Sequence, residues 1–406
     1  MVQERKKHPM VAVAGTYGKS MSGFLLQHIL QRPGYPGEGG FIESLSARKI
    51  LSRTLSCKAA GWLGLEVSVQ SLNKGLYRNL PFDLGILTNL YPPARDQVPW
   101  ARYVTLHRNF FAAVPQRGVS VINADDPQAL EIMDVAGGKP VTYALNYSRA
   151  MVTAKNYKPL PMGSSFEAVV RGELPRLGSW HGDISSFPLR LMLPGEIGVY
   201  TALAAVTAAL VLGVREEVIS QRVKTFSGIK RRLELFPAGD IFLLDDTAPC
   251  SLALQFVFNS LTPLRFQRVF LVLGMEKGTT DKLANIALEL RAQEDKHPLA
   301  EIFLTSCSEY LPPAMKASQA EKKAFLNAWQ EAGGRAPVAV FDSLVSALQE
   351  LSLSLKDGDL VLLLGGRGMN DARRLMSLHI REEGGSPAFP GQAESTAEYL
   401  GLLNPS

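Results

Sequence analysis

The sequence predicts an α/β protein with two domains, each built on a doubly wound, mostly parallel sheet. Short apolar segments alternate with segments of helical spacing, and the alternation occurs once before residue 141 and again after residue 236. The chain has 406 residues, which is too long for one ordinary hydrophobic core. Polar residues follow several predicted strands, and ligands bind at the carboxyl ends of strands in such sheets.

The first predicted strand and helix enclose a glycine turn. Residues 11–14 read V-A-V-A, residues 15–20 read G-T-Y-G-K-S, and residues 21–30 have the apolar spacing of a helix. A strand, a glycine turn and a helix N-terminus form a phosphate cradle, because backbone N–H groups point at the anion. In this motif the lysine contacts the β- and γ-phosphates and the next hydroxyl contacts Mg²⁺. We therefore expect nucleotide at Gly15, Thr16, Tyr17, Gly18, Lys19 and Ser20.

The motif is a variant, because the usual pattern has another glycine where this chain has Val13. A glycine turn with a surface lysine is the alternative interpretation. The predicted strand before the turn, the predicted helix after it and the K-S pair favour the cradle. Further strands are predicted at 61–69, 83–90 and 119–122, and parallel strands bring their carboxyl ends to one edge of the sheet. The polar residues at or near those ends are Lys19, Glu66, Asn89 and Asp125.

The second half of the chain predicts three further parts. Short strands and turn residues from about 141 to 193 predict a small antiparallel appendage, and an alanine-rich helix follows. Later apolar strands from residue 241 onward predict a Rossmann-like domain without a dinucleotide fingerprint. We expect an ATP-binding domain over 1–228, a C-terminal domain over 229–385 and a tail over 386–406.

Composition excludes several classes of protein. The formal net charge of +5 is mild, and no basic block interleaved with aromatic residues predicts nucleic-acid binding. Three scattered cysteines without metal-binding spacing favour a reducing compartment. The basic start precedes only a short apolar run, so we expect a first strand rather than a signal peptide. We expect a cytoplasmic protein without a membrane span.

The motifs, in this order, resemble those of the Mur ligase superfamily, the ATP-dependent amide ligases that include the peptidoglycan Mur enzymes and folylpolyglutamate synthase. G-T-Y-G-K-S is similar to the family's G-T-N-G-K-T, and L-E-V-S-V-Q-S-L (65–72) is similar to its E-V-S-S-H-x-L. The other similar segments are T-N-L (88–90), V-I-N-A-D-D-P (121–127), L-P-G-x-x-x-V-Y-T-A-L-A-A (193–205), G-I-K-R-R-L-E (228–234), L-L-D-D-T-A-P (243–249) and G-G-R-G-M-N (365–370).

The resemblance implies a ligase mechanism. ATP phosphorylates a carboxylate, an amine attacks the resulting acyl phosphate, and an amide, ADP and phosphate are formed. It implies catalytic roles for Lys19, Arg232 and His107 and a nucleotide contact from Asp246. Mg²⁺ would bind Ser20 and Glu66, since this hard cation takes oxygen ligands. The expected partners are a small-molecule carboxylate and amine, with the protein as a monomer or homodimer.

The chain also departs from the family pattern. This chain has Pro93-Ala94 in place of the family's metal-binding Asp-His pair, and His107 in place of its modified lysine. Gly198 and Thr201 stand where the family has two asparagines that frame adenine. Pro249 replaces a histidine, and Arg367 replaces a C-terminal lysine. A neutral imidazole is a poor Mg²⁺ ligand, so His107 is alternatively a packed or solvated helix residue. The departures place the second metal site and the adenine contacts in question, but not the phosphate turn.

Several alternatives therefore stay open. The main one is a nucleotide-binding pseudoenzyme that acts as a scaffold or regulatory partner. Glu66 could be a paired strand-end acid, and Arg232 and Asp246 could be ordinary strand-end charges. The turn lies within twenty residues of the first residue, a layout more like folylpolyglutamate synthase or poly-γ-glutamate ligases, so we do not expect a UDP-linked muropeptide substrate. A motor-type NTPase would need a Walker B strand that the sequence lacks.

Overall fold

The computed structural model describes residues 9–31, 40–42, 62–77, 80, 82–92, 98–160, 162–177, 185–247, 250–261, 264, 266–278 and 280–382. The chain divides into two compact units. Unit 1 comprises the described residues of Met1–Lys158, Gly163–Met192 and Glu196–Ser227, and unit 2 those of Pro159–Met162, Leu193–Gly195 and Gly228–Ser406. The predicted tail over 386–406 lies outside the described residues.

Unit 1 is built on one sheet, in which nine strands are described. They are β1 (Met10–Ala14), β2 (Gly40–Ile42), β3 (Leu63–Glu66), β4 (Leu84–Leu87), β5 (Val119–Asn123), β6 (Lys139–Ala144), β7 (Val152–Leu160), β8 (Gly163–Val170) and β9 (Ser186–Leu191). Their spatial order is β2-β3-β1-β4-β5-β6-β7-β8-β9. The pairings from β2 through β7 are parallel, and β8 and β9 pair in antiparallel fashion.

The stretch from 141 to 193 continues this sheet, where the sequence predicts an antiparallel appendage. Its first strand, β6, runs parallel to β5, and β7 pairs in parallel with β6 over a short register. The reason lies in burial, because Val141, Tyr143 and Ala144 are buried and β6 is an interior strand of the parallel region. The antiparallel part described is the β8–β9 pair at the far edge of the sheet.

Helices pack against this sheet through apolar faces. Those described in unit 1 are α1 (Lys19–Leu30), α2 (Val69–Asn73), α3 (Trp100–Ala112), α4 (Pro127–Met133), α5 (Gly195–Val211) and α6 (Glu216–Lys224). α1 directs Leu25, Leu26 and Ile29 into the core. α5 is alanine-rich and buried along most of its length, since its small side chains allow neighbouring elements to approach closely.

Unit 2 is built on a second sheet of six described strands. They are β10 (Glu234–Ala238), β11 (Ile241–Asp246), β12 (Val269–Gly274), β13 (Leu299–Thr305), β14 (Val338–Phe341) and β15 (Leu360–Gly365), in the order β10-β11-β15-β12-β13-β14. β10 is an antiparallel edge strand, and the other pairings are parallel. The chain returns from β14 to place β15 between β11 and β12, which makes the sheet doubly wound.

The helices described in unit 2 form two groups. α7 (Ser251–Leu261) contacts α8 (Thr280–Glu294), which contacts α9 (Gln319–Glu331), and α10 (Leu344–Ser352) contacts α11 (Ala372–Glu382). The predicted α/β fold, with a doubly wound first domain and a Rossmann-like C-terminal domain, is confirmed. A search of the described helices finds none that is long and apolar enough to cross a membrane.

Candidate active site at the first turn

The sequence G-T-Y-G-K-S forms the turn between β1 and α1, called here the 15–20 turn. Gly15 has a φ of +129°, and a Cβ atom on it would lie 2.3 Å from the Thr88 hydroxyl oxygen. Gly18 has a φ of +80° and is the N-cap of α1, so its backbone is left-handed and no side chain caps the helix. The turn therefore requires glycine at both positions, and the first-turn N–H groups of α1 have no side-chain cap.

Two residues that follow β4 fix the shape of the turn. The Asn89 carbonyl accepts the Thr16 N–H at 3.0 Å. The Asn89 amide accepts the Tyr17 N–H at 2.9 Å and donates to the Tyr17 carbonyl at 3.0 Å. The Thr88 hydroxyl also donates to the Tyr17 carbonyl, at 2.8 Å. Because both the N–H and the carbonyl of Tyr17 are hydrogen-bonded, the turn is held by contacts within the protein itself.

Three polar side chains meet at this turn. Ser20 Oγ donates to Glu66 Oε2 at 2.7 Å, and Lys19 Nζ lies 3.9 Å from Glu66 Oε1. The parallel register that pairs Val13 with Glu66 brings the end of β3 beside the turn. The Lys19 and Glu66 side chains are 16% and 13% exposed, so they retain limited access to solvent. Lys19 Nζ also donates to the Thr16 carbonyl at 3.0 Å.

The donor set fits Mg²⁺. The oxygens of Ser20 and Glu66 are hard ligands, and their 2.7 Å separation approaches the spacing of about 2.9 Å between adjacent ligands of octahedral Mg²⁺. Among the described residues, no group of three or more His, Cys, Asp or Glu side chains could hold a metal. The remaining ligands would be phosphate oxygens and water, as is usual for Mg²⁺ with nucleotides.

His107 lies in α3, outside the 15–20 turn, and it is fully buried. Its Nδ1 contacts the Tyr103 carbonyl at 2.9 Å, and its ring lies 4.4 Å from the Tyr103 ring. Burial, with a smaller contribution from the nearby charge of Lys19, lowers the pKa of His107 to about 4. In the described part of the chain, Nε2 has no hydrogen-bond partner, and no hydrogen bond joins the ring to Ser20 or Glu66. His107 is therefore a neutral, buried imidazole near the turn.

In unit 2, the segment before β10 contains two adjacent arginines that lie in different environments. Arg231 is buried with a φ of +60°, and its Nε donates to Asp245 Oδ1 at 3.0 Å. Its guanidinium also donates to the carbonyls of Gly365 and Gly366 and to the Asn370 side chain. Arg231 therefore ties the start of β10 to the end of β15.

Arg232 is exposed, and its guanidinium makes no hydrogen bond or ion pair with the described residues. Leu233, on its other side, also has a left-handed φ, of +49°. Asp246 is 1% exposed, and its Oδ2 accepts the Leu233 N–H at 2.7 Å. Arg232 is thus available to a ligand, while the predicted nucleotide contact of Asp246 stays a prediction because its carboxylate already binds the backbone.

Sequence reasoning missed the residues that support these groups. Asn123 Nδ2 donates to the Thr88 carbonyl at 2.9 Å, and the Tyr103 hydroxyl lies 2.8 Å from Thr16 Oγ1. The Arg231-Arg232 and Asp245-Asp246 pairs indicated polar residues at strand ends. The sequence did not indicate that Arg231 and Asp245 bind each other. Pro93-Ala94 and Pro249 lie outside the described residues.

Comparisons with known proteins find similarity to one family. Residues 13–209, which include the 15–20 turn and most of α5, match the family model described as the Mur ligase middle domain. The UDP-N-acetylmuramoyl-L-alanyl-D-glutamate–2,6-diaminopimelate ligase of Bacillus licheniformis is 24% identical over 319 residues, which cover 71% of this chain and 62% of that protein. The UDP-N-acetylmuramate–L-alanine ligase of Novosphingobium aromaticivorans is 28% identical over 246 residues, which cover 58% and 48%.

Solved structures share the fold. The MurF ligase of Thermotoga maritima in complex with ADP superposes with a TM-score of 0.69 at 14% identity, covering 93% of this chain and 81% of that one. A pseudomurein peptide ligase type C from Methanothermus fervidus gives a TM-score of 0.65 at 16% identity, covering 92% and 79%. Residues 13–209 thus match a Mur ligase domain, and the chain is similar to Mur ligases in sequence and in fold, the similarity that its motifs predict.

The matched part of the chain spans between about half and two thirds of the curated relatives' length, 48% and 62% in the two cases above. Those relatives carry sequence that the comparison with this chain does not cover. Activity and substrates therefore belong to the proposal that follows.

Proposed function

We propose that this protein is an ATP-dependent ligase that joins a carboxylate to an amine through an acyl-phosphate intermediate. The observation that carries the proposal is that Lys19, Ser20 and Glu66 lie together at the 15–20 turn. The shape of this turn depends on its two glycines and on hydrogen bonds within the protein. The match of residues 13–209 to the Mur ligase middle domain and the ADP complex of the Thermotoga maritima MurF ligase support the same reaction class.

In this reaction the turn holds the triphosphate. Lys19 and the first-turn N–H groups of α1 bind phosphate oxygens. Ser20 and Glu66 would hold Mg²⁺, which would supply positive charge beside the transferring phosphoryl group. The γ-phosphoryl group passes to the substrate carboxylate, and ADP leaves. The amine nitrogen then attacks the acyl carbon, the C–O bond to phosphate breaks, and the nitrogen loses a proton. The products are an amide, ADP and phosphate.

Two predicted site residues of unit 2 enter the proposal differently. Arg232 is exposed and without a partner among the described residues, and its role as a phosphate contact stays a prediction. Asp246 is 1% exposed and already accepts the Leu233 N–H, so its carboxylate would have to become accessible before it contacted nucleotide. His107 stays a prediction as a catalytic residue, and its neutral, buried imidazole would contribute a hydrogen bond rather than a charge. The carboxylate and amine are small molecules that the chain does not identify.

The test is a screen for ADP formation with pools of carboxylates and amines, run together with ATP binding. We expect Lys19→Ala to lose nucleotide binding, because the lysine supplies the cation that faces phosphate. Lys74→Ala is the matched control, since Lys74 is an exposed lysine at the end of α2.

Glu66→Ala should lower Mg²⁺-dependent turnover and leave the fold intact. ATP binding without turnover in any pool would instead support the scaffold alternative, and equal ATP binding by Lys19→Ala would remove the phosphate assignment.

A further inference from the structure

Asp125, just beyond the end of β5, fixes the loop that follows β6. Its carboxylate accepts the backbone N–H groups of Leu145 at 2.6 Å, Asn146 at 2.8 Å and Tyr147 at 2.6 Å. Three bonds to consecutive N–H groups leave the loop backbone little freedom. The side chains of Asn146 and Tyr147 are exposed on this fixed backbone.

Tyr200, from α5, orients one of these side chains. Its hydroxyl donates to Asp125 Oδ2 at 2.8 Å, and Asn146 Nδ2 donates to the Tyr200 oxygen at 3.2 Å. A carboxylate only accepts hydrogen bonds, so the phenolic proton is committed to Asp125 and the phenolic oxygen must accept from Asn146. This relay fixes the amide of Asn146 with NH₂ toward Tyr200 and leaves Oδ1 as a free acceptor.

Burial, together with the Asp125 carboxylate, raises the pKa of Tyr200 far above its ordinary value. The phenol therefore keeps its proton at any physiological pH, and the orientation of the Asn146 amide does not change with pH. In the described residues, Asn146 Oδ1 has no hydrogen-bond partner.

Tyr147 supplies an aromatic surface beside this acceptor. Tyr147 is 43% exposed, although its backbone N–H is bound to Asp125 at 2.6 Å. An exposed ring on a hydrogen-bonded backbone is suited to stacking with a base, because every nucleobase presents a π-face.

The loop lies at the same sheet edge as the 15–20 turn. The strand order β1-β4-β5-β6 places β6 three strand spacings from β1, or about 14 Å along the edge. The residue after Tyr200 in α5, Thr201, has its hydroxyl 3.9 Å from the position of a Cβ atom on Gly18. α5 therefore passes from the turn to the Asn146 loop, and a nucleotide held by its phosphates at the turn can extend along this edge.

We propose that Asn146 and Tyr147 form the subsite for the base of the nucleoside triphosphate, and that Asn146 selects bases that present an amino group at the position of adenine N6, where guanine presents a carbonyl oxygen. This inference rests on the proposed function. The Tyr147 ring stacks on the base, and Asn146 Oδ1 accepts from the amino group of adenine or cytosine. Guanine presents a carbonyl oxygen where adenine presents that amino group, so two acceptors would face each other. Tyr200 is a positioning residue that acts through Asn146.

The stacking part is tested by measuring the binding of ATP and of inorganic tripolyphosphate, both with Mg²⁺, by calorimetry. Tyr147→Ala should weaken ATP binding about tenfold, the typical loss when one base-stacking ring is removed. It should leave tripolyphosphate binding unchanged, because tripolyphosphate has no base. Tyr147→Phe keeps the ring and should bind ATP like the wild type.

The selection part is tested by the ratio of ATP to GTP affinity. Tyr200→Phe removes the acceptor that orients Asn146, so the amide can turn its NH₂ group toward the base. We expect the preference for ATP over GTP to fall at least about fivefold, as when one hydrogen bond no longer discriminates. Tyr157→Phe is the control, since Tyr157 is a partly buried tyrosine of β7 whose hydroxyl bonds to Ser164. It should leave the ratio unchanged.

Some outcomes overturn the subsite and leave the ligase proposal standing. These are wild-type protein that binds tripolyphosphate as tightly as ATP, or Tyr147→Ala and Tyr200→Phe variants that keep wild-type affinity and ratio. Wild-type protein that binds neither ATP nor tripolyphosphate would overturn both proposals at their common base, the 15–20 turn. The Lys19→Ala variant shows whether binding occurs at the turn. If the subsite alone is wrong, Lys19→Ala should still lose the binding of both ATP and tripolyphosphate, because phosphate binding at the turn depends on Lys19.

Discussion

The two units place charged side chains at the carboxyl ends of parallel strands but use them differently. In unit 1, Thr88 and Asn89 bind the back of the 15–20 turn, and Lys19 and Glu66 remain 16% and 13% exposed at its front. In unit 2, the side chains of Arg231 and Asp245 are 5% and 0% exposed and bind each other. The first arrangement leaves polar groups for a ligand, whereas the second consumes them in holding backbone together.

The difference predicts separable effects of mutation. Substitutions at the front of the turn should change ligand binding and leave stability nearly unchanged. Substitutions in the Arg231–Asp245 pair should change stability first, because a buried charge left without its partner is costly.

The largest effect is expected for Arg231→Ala. It leaves Asp245 buried without a cation and removes the donors to Gly365 and Gly366, so the free energy of unfolding should fall by about 3–5 kcal/mol. Chemical denaturation, with hydrogen exchange of peptides from β10 and β11, measures the loss. Arg232→Ala is the matched control, because Arg232 is exposed and its removal should cost less than about 0.5 kcal/mol. Equal losses in the two variants would contradict the assignment of separate roles.

The second prediction concerns pH. Burial raises the pKa of Asp245 to about 6 from an ordinary 3.8, against the lowering effect of Arg231. The folded protein therefore holds a proton between about pH 4 and pH 6 that the unfolded chain has lost. The contribution of Asp245 to the free energy of unfolding is therefore present in full below pH 3.8 and is lost as the pH rises through 6. The change amounts to about 2–3 kcal/mol.

Asp245→Asn removes this titration and isolates it from the other acids. Relative to the wild type, the variant should gain stability as the pH rises from 4 to 7, measured as the difference in free energy of unfolding at each pH. A difference that stays constant over this range would show that the buried pair does not titrate there.

The third prediction tests the geometry of the turn. Gly15→Ala places a Cβ atom 2.3 Å from the Thr88 hydroxyl at a φ of +129°. We expect a loss of about 2 kcal/mol in stability, together with loss of nucleotide binding as the turn shifts. Gly172→Ala is the control, since its φ is +71° but no atom lies within 4 Å. It should cost about 1 kcal/mol from backbone strain alone and leave binding unchanged.

Sequence reasoning located the turn from its glycines and its Lys-Ser pair between a predicted strand and a predicted helix, and it located the carboxylate from strand periodicity. Glu66 ends an apolar strand, and parallel pairing brings that end beside the residues after β1. It could not assign the R-R and D-D pairs, because the left-handed φ values of Arg231 and Leu233 have no sequence signal in non-glycine residues. Nor could it show that Asp125 binds the loop after β6, since that contact depends on loop geometry and not on periodicity.

The smallest expected effect concerns the support behind the turn. Thr16 Oγ1 accepts the Tyr91 N–H at 2.9 Å and donates to the Tyr91 carbonyl at 3.0 Å. Its one proton is thereby used, so Tyr103 is the donor in their 2.8 Å bond. Burial raises the pKa of Tyr103 to about 12, which keeps that proton in place. Tyr103→Phe should therefore weaken nucleotide binding by about 1 kcal/mol, or roughly fivefold.

A double-mutant cycle with Thr16→Val shows whether this hydroxyl acts through the turn. If the Tyr103 hydroxyl acts only by holding Thr16, the double variant should bind nucleotide no worse than Thr16→Val alone, because the second removal has nothing left to release. Additive losses would mean that Tyr103 contributes by another route, such as its contact with His107 at 4.4 Å. That result would return His107 to consideration as a residue that senses or shapes the turn.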